Sequence, residues 1–365
     1  MSIRLPELVA SIVESTMSPH PVDRYLEFID PMLTWRDLRA KVARVDRPTP
    51  RTVRLTLTPT RQWRGHKAGQ FVQLGVVIDG VRQTRCFSPA NATQTRGGTV
   101  ELTITVPDDP FVAAFVRDHA AIGDVYTLTQ AAGEFTLPAG GPVAPVFISG
   151  GSGITPVLSM LRTLVAEGFA DPITFVHYAR GPEDVAYGPE LAAIASAHPN
   201  VDLRIIYTRG TSGAGAYAEG HFHPDHLDRI AGQDDADVFV CGPATLMDAV
   251  TDHYASAHPR ARVHSEAFTI AAPIVVDPNE PITGEVAFTA SGTSAANDGR
   301  TILDQAESAG LSPASGCRMG ICFSCTAVKK SGCTRNVLTG ELDTESETQI
   351  QICVNAPVGN VEIEV

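Results

Sequence analysis

At 365 residues the chain has room for two or three domains, each with its own core. A formal net charge of −13 argues against a nucleic-acid partner, and no run approaches the roughly 18 consecutive apolar residues of a membrane-spanning helix. Met1–Pro6 lacks a basic region leading into a long apolar run, so no secretory signal is expected, and seven cysteines then fit a reducing cytoplasm.

Residues 1–37 hold Pro6, Pro19, Pro21 and Pro31 and two apolar-patterned stretches, Leu8–Val13 and Tyr25–Leu33, which predict an N-terminal helical extension. From residue 38 the period becomes two. Arg51–Thr58, Phe71–Val76, Val100–Val106 and Val125–Thr129 alternate between Gly and Pro turns, so an antiparallel β-barrel is expected over 38–141, with one helix near Val112–His119. The pattern then changes to strand–helix alternation. Apolar runs at Val146–Ile148, Ile173–His177, Leu203–Tyr207 and Val238–Cys241, separated by helical stretches at Val157–Ala166 and Ala244–Tyr254, predict an α/β domain with a parallel sheet over 142–270. A proline-rich linker spans 271–282. A small α+β domain follows over 283–365: strand Glu285–Ala290, helix Thr301–Ala309, strands Thr326–Val328 and Val361–Val365. This multidomain chain carries much of its charge at the end, since residues 272–365 hold 12 acidic against 5 basic side chains.

Within that last domain Cys317, Cys322, Cys325 and Cys353 are spaced C-x4-C-x2-C and then x27-C, the ligand pattern of a plant-type [2Fe–2S] cluster. Two bridged irons need four converging thiolates, and Gly316 and Gly320 let backbone N–H groups turn toward the sulfurs. Zinc prefers paired C-x2-C knuckles, and only one such pair is present.

Three upstream loops could feed electrons to a cluster. Arg85-Cys86-Phe87-Ser88, at a barrel strand end, offers a cation for a phosphate, a flat ring and a hydrogen-bonding hydroxyl, the set a flavin requires. Gly150–Pro156 is a glycine-rich strand-to-helix turn that admits a pyrophosphate, although Pro156 breaks the G-x-G-x-x-G pattern. Cys241-Gly242-Pro243, with Met247 beyond, ends another strand where ligands of parallel sheets bind. The segment His221-Phe222-His223-Pro224-Asp225-His226 invites a metal reading, but it precedes an expected helix at Pro224–Ile230, where His and Asp act as caps and turn formers.

Arg85–Ser88, Gly150–Pro156, Cys241–Met247 and Glu266-Ala267-Phe268, in that order, resemble the ferredoxin–NADP reductase superfamily with a fused C-terminal ferredoxin of β-grasp fold. The resemblance covers residues 38–365. It implies that Arg85 holds the flavin phosphate, Phe87 stacks on the ring and Ser88 bonds N5, that the backbone N–H groups of Val112, Ala113 and Ala114 take the pyrophosphate, and that Val106 is a further cofactor-binding residue. Gly151, Gly153, Thr155, Pro156, Gly242 and Pro243 would hold the nicotinamide nucleotide, and Ser88, Cys241, Glu266 and Phe268 would border the hydride path. Arg180 and Arg209 are the candidates for a 2′-phosphate, so NADPH is expected, with NADH the alternative. Ala113 and Ala131-Ala132 depart from the family pattern and leave FAD and FMN both open, with FAD expected.

The implied function is an oxidoreductase passing electrons from NAD(P)H through flavin and cluster to an oxygenase or a membrane fatty-acyl desaturase. A self-contained reductase of a small molecule or quinone is the rival enzyme, and an iron–sulfur redox sensor the rival from another class.

Overall fold

The computed structural model describes residues 22–365 except 79, 95, 96, 107–110, 210–217, 268–281, 317, 319, 321 and 322. The helix expected at Leu8–Val13 and most of the linker therefore lie outside the described residues. The chain enters through a short helix α1 (Val22–Leu26), where a longer one over Tyr25–Leu33 was expected. Pro31 explains the difference, because the residue before a proline is pushed out of the helical region; turns instead carry the chain through Leu33. The buried Asp23 carboxylate fixes this extension by accepting the backbone N–H groups of Trp35, Arg36 (2.8 Å) and Asp37 (2.8 Å).

The first sheet has strands β1 (Arg39–Thr49), β2 (Thr52–Pro59), β3 (Val72–Ile78), β4 (Val81–Phe87), β5 (Val100–Thr105) and β6 (Val125–Leu128), in the order β4-β3-β6-β1-β2-β5 and antiparallel throughout. The alternation of β2 sends Val53, Leu55 and Leu57 inward, where they meet Val72, Leu74 and Leu102. Edge strands β4 and β5 are joined near Ser88 by a Pro89↔Leu102 bridge, which closes the sheet into the expected barrel. Helix α2 (Phe111–His119) plugs one end through Val112 and Val116.

The second sheet is parallel: β7 (Val146–Gly150), β8 (Ile173–Ala179), β9 (Val201–Tyr207), β10 (Ala218–Glu219), β11 (Asp237–Gly242) and β12 (Arg262–Ala267), in the order β10-β9-β8-β7-β11-β12. Every residue of β7, β8 and β11 is buried, as expected for central parallel strands covered on both faces. Phe147, Phe175 and Phe239 face helix α3 (Ile154–Ala166) and the barrel residues Ala68, Ala90 and Phe135. Val146, Ile148, Val238 and Val240 face helix α5 (Ala244–Ala257). Helix α4 (Gly188–Ala197) and strand β12 went unanticipated.

The third sheet joins β13 (Glu285–Phe288), β14 (Thr293–Ala296), β15 (Thr326–Asn336), β16 (Leu342–Asp343), β17 (Thr348–Gln351) and β18 (Asn355–Ile363). A parallel β13–β18 pair at its centre, with helix α6 (Ile302–Ser308) packed on it, gives the β-grasp arrangement. The sequence pattern locates β13 and α6, but of β15 and β18 it shows only the ends.

Candidate functional site

Register across the parallel sheet brings four polar side chains into one row. His177 on β8 pairs with Ser149 on β7, Ser149 with Cys241 on β11, and Cys241 with Glu266 on β12. Partners in register share a face, so the row lies toward α3 and the barrel. Ser149 Oγ and His177 Nδ1 are 2.9 Å apart. Burial lowers the imidazole to about 4, against a weaker opposing pull from Ser149, so it is neutral at physiological pH. Burial, and secondarily Glu266, push the Cys241 thiol well up, which keeps it a thiol. Burial likewise raises the Glu266 carboxyl to about 8. The row ends at the domain boundary: a Cβ added at Gly133 of the barrel would touch Phe71 at 3.1 Å and Glu266 Oε1 at 3.8 Å.

Beyond the carboxyl ends of these strands lies a cavity of about 530 Å³. Gly151, Gly242, Pro243, Arg180, Arg209 and Val106 line it. Arg209 N–H donates to the Arg180 carbonyl at 2.9 Å, which links the two loops carrying these arginines. Gly153, Thr155 and Pro156 stand behind the wall. A Cβ at Gly153 would fall 2.2 Å from the Cys241 carbonyl oxygen, so only glycine lets the nucleotide turn close onto β11. Thr155 Oγ1 closes that turn on the Ser152 carbonyl at 3.3 Å. Arg51 and His177 also line the cavity and were not anticipated. Arg51 sits there because its guanidinium grips the Val106 carbonyl at 2.9 and 3.3 Å; a polar residue starting an alternating strand carries no sequence signal of this.

At the barrel seam, Phe87 packs partly on the core and the Arg85 guanidinium donates to the Thr84 carbonyl at 2.8 Å. Ser88 Oγ is buried without a hydrogen-bond partner, and so is Glu266 Oε2. Two such orphans are costly unless a bound group completes them, and a flavin ring with a polar edge would do so. The first N–H groups of α2, including those of Val112 and Ala113, have no partner within the helix and suit a phosphate, whereas Ala114 stands where the helix's own bonding begins. The residues present therefore fit a flavin.

In the third domain Cys325 and Cys353 are buried in one apolar cluster, and Ile352 N–H donates to the Cys325 carbonyl at 3.1 Å. Cys317, Cys322 and Phe268 lie outside the described residues. Arg318 and Phe323 both adopt left-handed backbone conformations in this loop, at φ 59° and 56°. The Arg318 guanidinium forks onto Glu307 of α6, which ties the loop to the helix. A buried pair of thiols under a loop held this way fits a cluster. The histidine segment, in contrast, is structural: the His223 side chain accepts Asp225 N–H and His226 answers it, capping a single 3₁₀ turn (Pro224–Leu227) shorter than the helix expected to Ile230.

Residues 147–252 match the oxidoreductase NAD-binding domain family. The NADPH oxidoreductase of Mycobacterium tuberculosis is 31% identical over 94% of this chain and 88% of that protein. The glycine betaine monooxygenase reductase subunit of Pseudomonas aeruginosa is 31% identical over 82% of this chain and 87% of that protein. Among solved structures, phthalate dioxygenase reductase, described as a modular structure for electron transfer from pyridine nucleotides to [2Fe–2S], aligns with a TM-score of 0.62 at 26% identity, covering 90% of this chain and 98% of that one.

Proposed function

The chain belongs to the ferredoxin–NADP reductase superfamily, in the branch that fuses an iron–sulfur domain to the reductase, and from that premise we propose that it is the reductase component of an oxygenase system. It is an NAD(P)H-dependent oxidoreductase using FAD and a [2Fe–2S] cluster. When bound, the flavin exchanges electrons in pairs with the nicotinamide and singly with the cluster.

The chain's own part is to bind, orient and dry these groups. Arg85 and the start of α2 would hold the flavin's phosphates, Phe87 would pack on its ring, and Ser88 Oγ would hydrogen-bond its polar edge. The glycines at 151, 153 and 242, with Thr155, Pro156 and Pro243, shape the nucleotide's bed. Cys241, as an uncharged thiol, would leave room for the nicotinamide without competing as a nucleophile. Glu266, protonated near neutrality by its burial, would hold a proton at Oε2 beside the ring. Phe268 and the thiolates of Cys317, Cys322, Cys325 and Cys353 would complete the two centres. Arg180 and Arg209, with Arg51 beside them, outnumber Asp184 in the cavity lining and support NADPH over NADH.

The observation that carries this reading is the row from His177, which lines the nucleotide cavity, to Glu266 at the barrel boundary, together with the orphaned Ser88 hydroxyl on the barrel seam. An anaerobic titration of the purified protein with NADPH tests it. Loss of the yellow flavin absorbance followed by loss of the cluster absorbance is expected; a colourless protein, or one holding zinc without acid-labile sulfide, would refute it. The names of two relatives, reductase components of a glycine betaine monooxygenase and a propane 2-monooxygenase, support an oxygenase as acceptor. Parallel assays with a purified oxygenase and with a fatty-acyl desaturase in vesicles separate the two acceptors; no helix among the described residues is long and apolar enough to cross a membrane.

A further inference from the structure

Ser324, the neighbour of cluster ligand Cys325, is half-buried, whereas Phe323 and Thr326 of the same turn are exposed. Gln73 of β3 donates through Nε2 to Ser324 Oγ at 2.9 Å, and the same hydroxyl lies 3.2 Å from Gln73 Oε1, to which it donates. The carboxamide and hydroxyl thus bond reciprocally across 251 residues of chain. Both partners are fixed from behind. Gln73 is held on its backbone by Thr129, whose Oγ1 accepts Gln73 N–H at 2.9 Å and whose N–H donates to the Gln73 carbonyl at 3.0 Å. Ser324 occupies a turn closed by Thr326, whose N–H and Oγ1 both donate to the Phe323 carbonyl, at 3.2 and 2.7 Å. Phe323 itself is 68% exposed, so consecutive residues before Cys325 face opposite ways.

The position of Gln73 on the barrel gives this contact its meaning. In the β3–β4 ladder Gln73 pairs with Cys86, the residue between Arg85 and Phe87 of the flavin motif. A short connected path therefore runs from the flavin strand through Gln73 and the Ser324 hydroxyl to the Cys325 ligand. Electron transfer between two bound centres depends on how closely and rigidly they are held.

We propose that Gln73 and Ser324 form the positioning pair for electron entry into the cluster, holding the Cys325 turn against the flavin strand. The inference rests on the proposed function. In each transfer one electron leaves the flavin reduced by NADPH and the cluster becomes more negative by one charge; no bond within the chain forms or breaks.

The test uses the full-length holoprotein and the variants Gln73→Ala, Ser324→Ala, the double variant, and Ser324→Thr. Anaerobic stopped-flow mixing with NADPH reads flavin bleaching and cluster bleaching separately. Either alanine variant should slow cluster bleaching about tenfold or more while flavin bleaching is unchanged. The double variant should be no slower than the slower single one, and Ser324→Thr, which keeps the hydroxyl, should approach wild type. Without NADPH, amide hydrogen exchange should rise in β3 and in residues 323–326 of both alanine variants, at unaltered iron content. Unchanged cluster bleaching in Gln73→Ala, additive losses in the double variant, or unaltered exchange would overturn the pairing. Failure of the wild type itself to bleach would instead remove the function on which it rests, and the pairing with it.

Discussion

Replacing Arg162 of α3 with methionine should loosen the joint between the barrel and the nucleotide domain. Its guanidinium holds Glu190 at 2.7 and 2.8 Å, and Glu101 and the Ala90 carbonyl of the barrel at 2.9 and 2.7 Å. Its side chain is 17% exposed, against 21% for Glu101 and 35% for Glu190. Methionine fills similar space but leaves two carboxylates without their shared cation, and among the described residues the Tyr187 hydroxyl, 2.9 Å away, is the side chain still donating to Glu101. Breaking a buried pair from one side costs about 3–5 kcal/mol, and the partial exposure of Glu190 brings the expectation to about 2–4 kcal/mol. For a unit of this size that lowers Tm by about 5–15 °C. Differential scanning of the holoprotein measures it, and the variant Arg162→Met with Glu101→Gln should recover much of the loss by removing the stranded charge. A drop below about 1 kcal/mol, or no recovery in the double variant, would show that the joint is not held by charge.

Glu266 sets a pH dependence. With its folded pKa raised to about 8 against an ordinary 4.5, the unfolded chain releases the proton first, so stability of the flavin-free protein should fall between those pH values, by at most about 5 kcal/mol, and level off above. Urea titrations across pH 5–9 read this slope, and Glu266→Gln should abolish it. Gly153→Ala drives a methyl into the Cys241 carbonyl and should raise the KM for NADPH and cost about 1–3 kcal/mol of stability; an unperturbed variant would mean the turn does not close onto β11. Arg180→Leu and Arg209→Leu should each weaken NADPH binding about tenfold or more while sparing NADH, and calorimetric titration with both nucleotides would expose an equal loss for the two.

The barrel was legible because one face of each strand is buried: alternation over Arg51–Thr58 lands within a residue of the observed Thr52–Pro59. The central parallel strands were legible as unbroken apolar runs. Strand β12 was not, since it is an edge strand with no fully buried residue and a mixed pattern, and α4 was missed because Leu191 is its only buried side chain among those described. The site divides along similar lines. Glycine turns and the cysteine spacing are local and can be read, whereas the row His177–Ser149–Cys241–Glu266 exists only through register between strands that say nothing of one another in sequence. Gln73 and Ser324 were hidden for the same reason.

The two joints of this molecule are built from different chemistry, and the difference has a measurable consequence. Hydride transfer makes and breaks bonds and tolerates little misplacement, and the joint that frames it contains the charged, partly buried Arg162 network. At the entry to the cluster, Gln73 and Ser324 bring a neutral pair, although the ferredoxin domain presents Glu341, Glu345, Glu347, Glu362 and Glu364 to solvent. Glu347 and Glu364 share Lys330, at 3.3 and 2.9 Å, and the carboxylates of Glu341, Glu345 and Glu362 would meet an external acceptor with a basic face. Screening acts on exposed charges and hardly on a half-buried neutral pair. Raising the ionic strength should therefore leave the rate of cluster bleaching after NADPH mixing unchanged while slowing delivery to the oxygenase. If the internal step slowed with salt in parallel with the external one, opposite charges would be guiding both, and the neutral pair could not be what positions the cluster.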